Sequence, residues 1–99
     1  MYVHISGIVK QLKPTCVVID VQGVGYKIYI TPGGFSKLPQ PGEKALLFTT
    51  FILREQLQAL YGFVTEAERD IFEKLLGVNG IGPKLALSLV GHMTIGDLQ

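Results

Sequence analysis

The sequence predicts a mainly β chain that ends in helices: a five-stranded barrel followed by an incomplete helical domain. Three observations carry this. Short alternating or β-branched apolar runs recur from Val3 to Phe63. Capping signals and helical periodicity take over at Thr65. Two apolar, helix-compatible stretches then flank the glycine-rich segment Gly77-Val78-Asn79-Gly80-Ile81-Gly82-Pro83-Lys84. The chain divides on this reading into a barrel, residues 1–64, and a helical part, residues 65–99.

Val3, Ile5 and Val9 alternate around Gly7, which marks a bulge or a close backbone approach in the first strand. Cys16 to Val21 is a continuous β-branched run. Gln22-Gly23 is a turn signal, and Val24, Tyr26, Ile28 and Ile30 alternate after it, so the two runs read as a hairpin. Thr31-Pro32-Gly33-Gly34 breaks the pattern, and Phe35 to Gly42 reads as a long connection. Lys44 to Leu53 and Leu57 to Phe63 are the fourth and fifth strands. Five short strands at this spacing suit an OB-fold barrel; the pattern alone fits an SH3-like barrel as well.

Thr65 with Glu68 forms a capping box, which starts a helix whose apolar face carries Ile71, Phe72, Leu75 and Leu76. After the glycine-rich turn, Pro83 to Val90 reads as a second helix that buries Leu85, Ala86, Leu89 and Val90. Gly91 reads as its C-terminal cap. Thr94 and Asp97 form another capping-type pair, so a third helix is expected near Ile95. Only a few residues of it precede Gln99, too few for a stable helix, and the chain reads as a piece of a longer protein.

Composition narrows the function classes. The net charge of +1 argues against coating of nucleic acid by the whole surface, so any such contact is a local patch. Cys16 is the single cysteine, which excludes an internal disulfide and fits a reducing cytoplasm; its neighbours Val17, Val18 and Ile19 mark it as a buried strand thiol rather than a nucleophile. Lys10 and Lys13 interrupt the early apolar run, so no signal peptide is read. No apolar run approaches the ~20 residues of a membrane span.

The glycine-rich turn carries the strongest chemical signal. Gly80 and Gly82 let the backbone turn sharply and present N–H groups. Pro83 suits the first position of a helix, whose N-terminus attracts phosphate, and Lys84 adds a full charge there. Ile81 is expected to point into the core and hold the two helices together, and Ala86 to let them approach. The combination Asn79, Gly80, Ile81, Gly82, Pro83, Lys84 suits a grip on a nucleic-acid backbone that reads no bases. A Walker loop is excluded: Pro83 follows Gly82, Lys84 is displaced by one, no Ser or Thr follows it, and a helix precedes it. Arg54-Glu55-Gln56 separates the last two strands and reads, from chemistry alone, as a polar hairpin tip. His4 and His92 match no metal-ligand pattern, no catalytic set stands out, and neither metal nor cofactor is expected.

Four motifs together resemble the RuvA family of bacterial Holliday-junction-binding proteins: Gly23-Val24-Gly25-Tyr26; Phe48-Thr49 with Arg54-Glu55; Leu60-Tyr61-Gly62-Phe63; and Asn79-Gly80-Ile81-Gly82-Pro83-Lys84-Leu85-Ala86-Leu87. The resemblance runs from Met1 to the end of the chain. It implies an OB-fold followed by a helix-hairpin-helix domain, and a non-enzymatic, cytoplasmic, bacterial subunit acting in recombination, repair and the SOS response. It further implies a homotetramer, or an octamer of two stacked tetramers, that holds a four-way DNA junction open. The ATPase RuvB and the resolvase RuvC are the implied partners. On this reading Asn79, Gly80, Gly82 and Lys84 meet phosphates in the minor groove, and Arg54, Glu55 and Gln56 form the pin at the junction centre. The family's pin carries two adjacent acids; here Glu55 is one and Gln56 is neutral. A second hairpin and a RuvB-contacting domain are implied beyond Gln99, so weak DNA binding is expected of this chain alone. Two other classes stand against this reading: an oligomerisation scaffold with only generic backbone binding, and a helix-hairpin-helix repair enzyme such as a glycosylase.

Overall fold

The computed structural model describes residues 3–54 and 56–97. Five strands, β1 (His4–Leu12), β2 (Cys16–Val21), β3 (Val24–Tyr29), β4 (Lys44–Arg54) and β5 (Leu57–Phe63), close into a barrel of order β1-β2-β3-β5-β4. Three helices accompany them: α1 (Pro32–Lys37), α2 (Glu66–Leu76) and α3 (Pro83–Asp97). Pairing of β1 with β4 closes the barrel, and the parallel β3–β5 pair is reached by the crossover through α1 and β4. This OB-like topology decides against the SH3-like alternative.

Local chemistry accounts for the strand order. The turn between β2 and β3 has Gln22 at φ +51° and Gly23 at φ +93°, the left-handed pair that matches strand twist in a two-residue hairpin. The Asp20 carboxylate accepts the Gly23 N–H at 2.9 Å and fixes the turn. Gly7 is the expected close approach: a Cβ there would lie 2.3 Å from the Asp20 carbonyl oxygen. The bulge of β1 is elsewhere, between Val9 and Gln11.

The segment read as a broken connection contains helix α1 instead. Thr31 caps it by accepting the Gly34 N–H at 2.9 Å, and Pro32 opens it. Phe35 and Leu38 pack onto the barrel core with Ile5, Val9, Val17, Ile19, Ile28 and Leu47. That burial outweighs the poor helix propensity of Gly33 and Gly34.

A second core lies outside the barrel. The outward residues Ile52 of β4 and Ala59, Tyr61 and Phe63 of β5 pack against Phe72 of α2 and Ala86 and Val90 of α3. Ring centroids step from Tyr29 to Tyr61 (5.5 Å), Tyr61 to Phe72 (5.2 Å) and Phe72 to Phe63 (5.1 Å). Polar ties support the same packing. Thr50 donates to Glu73 at 2.8 Å, and Arg69 donates to the Val3 carbonyl at 2.9 Å while lying over the Phe48 ring. The predicted cap is present, with the Glu68 N–H donating to Thr65 Oγ1 at 3.2 Å.

Three helical expectations need correction. α3 runs unbroken through Gly91 to Asp97, so Gly91 is no cap and no third helix starts near Ile95. Gly91 lies against Thr31 and Pro32, where α3 crosses the start of α1. Leu85 is half exposed rather than buried, because Ala86 and Val90 set the inward phase of α3 and Leu87 packs beside them.

Two substitutions test this packing. A Cβ at Gly62 would sit 2.5 Å from Ile28 Cγ2, so Gly62→Ala is expected to lower unfolding stability by roughly 1–3 kcal/mol in urea titration. A Cβ at Gly91 meets its neighbours at 3.7–3.8 Å, ordinary van der Waals separation. Gly91→Ala should therefore raise stability by about 0.5–1 kcal/mol in the same titration, as for alanine over glycine inside a helix.

Candidate nucleic-acid interface

The turn between α2 and α3 is built from few backbone bonds. The Gly77 N–H donates to the Lys74 carbonyl, the Val78 N–H to Leu75 and the Ile81 N–H to Val78, at 3.0–3.2 Å. Gly80 takes φ +86°, the left-handed region that favours glycine. Ile81 packs half-buried onto the second core and pins the turn to the helices, as expected. Pro83 is buried and opens α3, and the Ala86 N–H closes the first turn onto the Gly82 carbonyl at 2.9 Å.

The N–H groups of Asn79, Gly80, Gly82 and Lys84 have no acceptor among the described residues. Asn79 and Gly80 are exposed, Gly82 is half-buried, and the exposed Lys84 makes no salt bridge among the described residues. The turn thus carries four N–H groups without an acceptor among the described residues, those of Asn79, Gly80, Gly82 and Lys84, beside one cation. Such a set at a helix N-terminus suits an anionic oxygen.

The two helix N-termini differ in kind. α2 has Thr65 as its cap and Glu66 and Glu68 in its first turn, so its positive end is satisfied internally. α3 follows Gly82, which has no side chain, and has no acid in its first turn. Of the two, only α3 offers its end to an external anion.

The β4–β5 tip is a separate place. Arg54 ends β4 and Gln56 is exposed; Glu55, the acid expected at the pin, lies outside the described residues. Leu53 at the base of this tip is 64% exposed. Burial raises the Tyr61 hydroxyl above its ordinary pKa of 10.0, with Tyr29 adding to the shift and the Arg54 charge opposing it.

Cys16 is a strand thiol, but half-buried rather than buried, because Val17 and Ile19 take the inward positions of β2. His92 lies on α3 with Nδ1 2.8 Å from the Ser88 carbonyl, and His4 lies on β1. Among the described residues no cluster of His, Cys, Asp or Glu suits a metal, and no helix is long and apolar enough to cross a membrane.

Sequence reasoning missed a groove beside the turn. It is open, about 400 Å³ in volume, and runs between α3 and the barrel, with Lys84 and Ser88 on one wall and Thr15 and Tyr29 on the other. Its residues come from segments far apart in the chain, so no local motif announces it.

Comparison with known proteins agrees with this architecture. Residues 1–62 match the RuvA N terminal domain family. The chain is 46% identical over 99 residues to the Holliday junction branch migration complex subunit RuvA of Protochlamydia amoebophila, covering 100% of this chain and 49% of that protein. The identically named proteins of Methylibium petroleiphilum and Escherichia coli O1:K1 / APEC are each 42% identical. The first match covers 96% of this chain and 50% of the relative, the second 92% and 45%. The chain spans about half the length of these relatives. With the family matched across the barrel and the likeness continuing through the helical turn, the chain belongs to the RuvA family.

Proposed function

We propose that this chain is a non-catalytic, structure-selective binder of four-way DNA junctions in recombination and repair. It acts as the DNA-binding part of a bacterial, cytoplasmic branch-migration complex. The observation that carries this is the set of unaccepted N–H groups of Asn79, Gly80, Gly82 and Lys84 at the open end of α3. Four backbone donors and one ammonium grip phosphate oxygens and read no base edge, which suits recognition of shape. The names of the relatives support the junction as the target.

Each residue has a role in this reading. Gly80 and Gly82 bring the backbone against the minor-groove phosphates with Asn79, and Lys84 neutralises one of them. Ile81 holds the turn on the core and Pro83 starts α3. The barrel, residues 1–64, serves as the platform, and the helical part, residues 65–99, as the grip. Four chains surround the junction as a tetramer, or eight as two stacked rings, with RuvB supplying ATP-driven movement and RuvC cleavage. Arg54, Glu55 and Gln56 of each chain meet at the centre. With Gln56 neutral, each chain brings one carboxylate there, and repulsion of the crossing strands is weaker than with two.

A second reading, an oligomerisation scaffold, has one observation in its favour: the exposed apolar side chains Leu46 and Leu53 on the barrel. Lys84→Ala separates the two. On the DNA reading it lowers junction affinity and lowers the log–log salt slope by about 0.9 for each phosphate left unneutralised, with assembly unchanged in light scattering. Unchanged affinity and slope would leave the scaffold reading standing. For the pin, Glu55→Gln in a full-length protein carrying this sequence should alter junction geometry, read by fluorescence energy transfer between arm ends. An identical geometry would remove Glu55 from the centre.

A further inference from the structure

We infer that the groove between α3 and the barrel is a second binding surface for the DNA sugar–phosphate backbone, continuing from the glycine-rich turn toward Lys27. This rests on the DNA-binding reading above and extends it to residues of the barrel.

The argument starts from what lines the groove. Lys84 is shared between it and the turn, so a backbone held at the turn lies at the groove's mouth. Tyr29, Pro32 and Leu87 provide apolar surface, while Thr15 and Ser88 add exposed hydroxyls. Among the described residues no carboxylate lines it. On the barrel side, the Lys27 ammonium sits 5.2 Å from the centre of the Tyr29 ring. That interaction holds a flexible cation beside the groove wall. Lys27 is exposed and makes no salt bridge among the described residues.

This surface alternates apolar floor with positive ends. Deoxyribose is apolar on its faces and phosphate is anionic, so a sugar–phosphate strand complements both parts. A purely apolar peptide side chain would leave Lys27 and Lys84 without a counter-charge. An acidic ligand without apolar surface would leave the floor uncovered.

The floor itself is held in place. Tyr29 packs its ring against Tyr61, and Tyr61 packs against Phe72, both at a 33° tilt, so the groove wall is continuous with the second core. Lys27 and Tyr29 are two residues apart on β3 and share its outer face. A strand of DNA leaving Lys84 therefore meets a preformed surface.

The test uses this chain with a fluorescently labelled four-way junction and a matched linear duplex, by anisotropy across a salt series. Lys27→Gln should weaken junction binding roughly three- to tenfold at ~0.1 M salt and lower the salt slope by about 0.9 for each phosphate that Lys27 neutralises. Lys27→Arg should retain binding. DNA should also protect Lys27 from acetylation, read by mass spectrometry against exposed Lys37 on α1. If Lys84→Ala weakens binding while Lys27→Gln does not and Lys27 stays reactive, the turn binds DNA and the assignment of the groove is wrong. If neither substitution matters, or the unsubstituted chain binds no DNA, the DNA reading falls with it. If Lys27→Gln changes the oligomeric state and leaves affinity per assembly intact, the groove is a protein interface and the inference is overturned.

Discussion

Burial of β5 on both faces is the constraint on which the rest of this structure depends. Inward, Leu60 joins the barrel core and Gly62 leaves room for Ile28 and Leu47. Outward, Ala59, Tyr61 and Phe63 form the floor on which both helices rest. A strand covered on two sides loses the polar–apolar alternation of a surface strand and reads as an unbroken apolar run, as Leu57 to Phe63 largely does. The mechanical result is that barrel and helices share one core. The glycine-rich turn is therefore held at a set position relative to the barrel, rather than carried on a linker.

Polar groups reinforce that placement while keeping charge out of the way. The acids of α2 are engaged within the fold: Glu68 in the cap, Glu73 with Thr50, and Glu66 and Asp70 with Arg69. Arg69 in turn ties the helix to the Val3 carbonyl and the Phe48 ring. Exposed pairs of this kind contribute little energy individually. Glu66 and Glu68, in the first turn, also satisfy the positive end of α2 with the chain's own carboxylates. The positive end of α3 has no acid in its first turn to do the same. In a chain with a net charge of +1, the N-terminus of α3 is thus a helix end whose positive potential no acid of its own first turn offsets.

What the sequence made legible follows from the range of the interactions. All five strands and the capping box of α2 are set by neighbours along the chain, and alternation, turn chemistry and the Thr65–Glu68 spacing revealed them. The turn of Asn79 to Lys84 was legible for the same reason, since its glycines, proline and lysine act on adjacent backbone. α1 was not, because Gly33 and Gly34 oppose a helix locally, and the Thr31 cap and Pro32 support one only together with burial of Leu38 and Phe35 against the barrel. Gly91 misled in the opposite sense: glycine after an apolar stretch signals a cap, yet here it faces Thr31 and Pro32 inside a continuous helix. The groove joins Thr15, Tyr29 and Lys84 through the closure of the barrel, which no local pattern encodes.

Gly80 and Gly82 of the turn differ in what the fold requires of them. Gly80 is explained from within, since φ +86° strains any side-chain-bearing residue. Gly82 is not. Its φ is not positive, and a Cβ built there meets nothing within 4 Å. It also stands where a helix gains most from a capping oxygen, and serine, aspartate or asparagine there would take up the first free N–H groups of α3. Packing within the chain therefore permits other residues at this position, and helix stability favours them. On the proposed DNA-binding reading, glycine keeps the N–H groups open and lets a bulky anion reach the backbone, and an aspartate would repel that anion. Gly82 is thus a glycine that packing does not require and that the proposed phosphate contact accounts for.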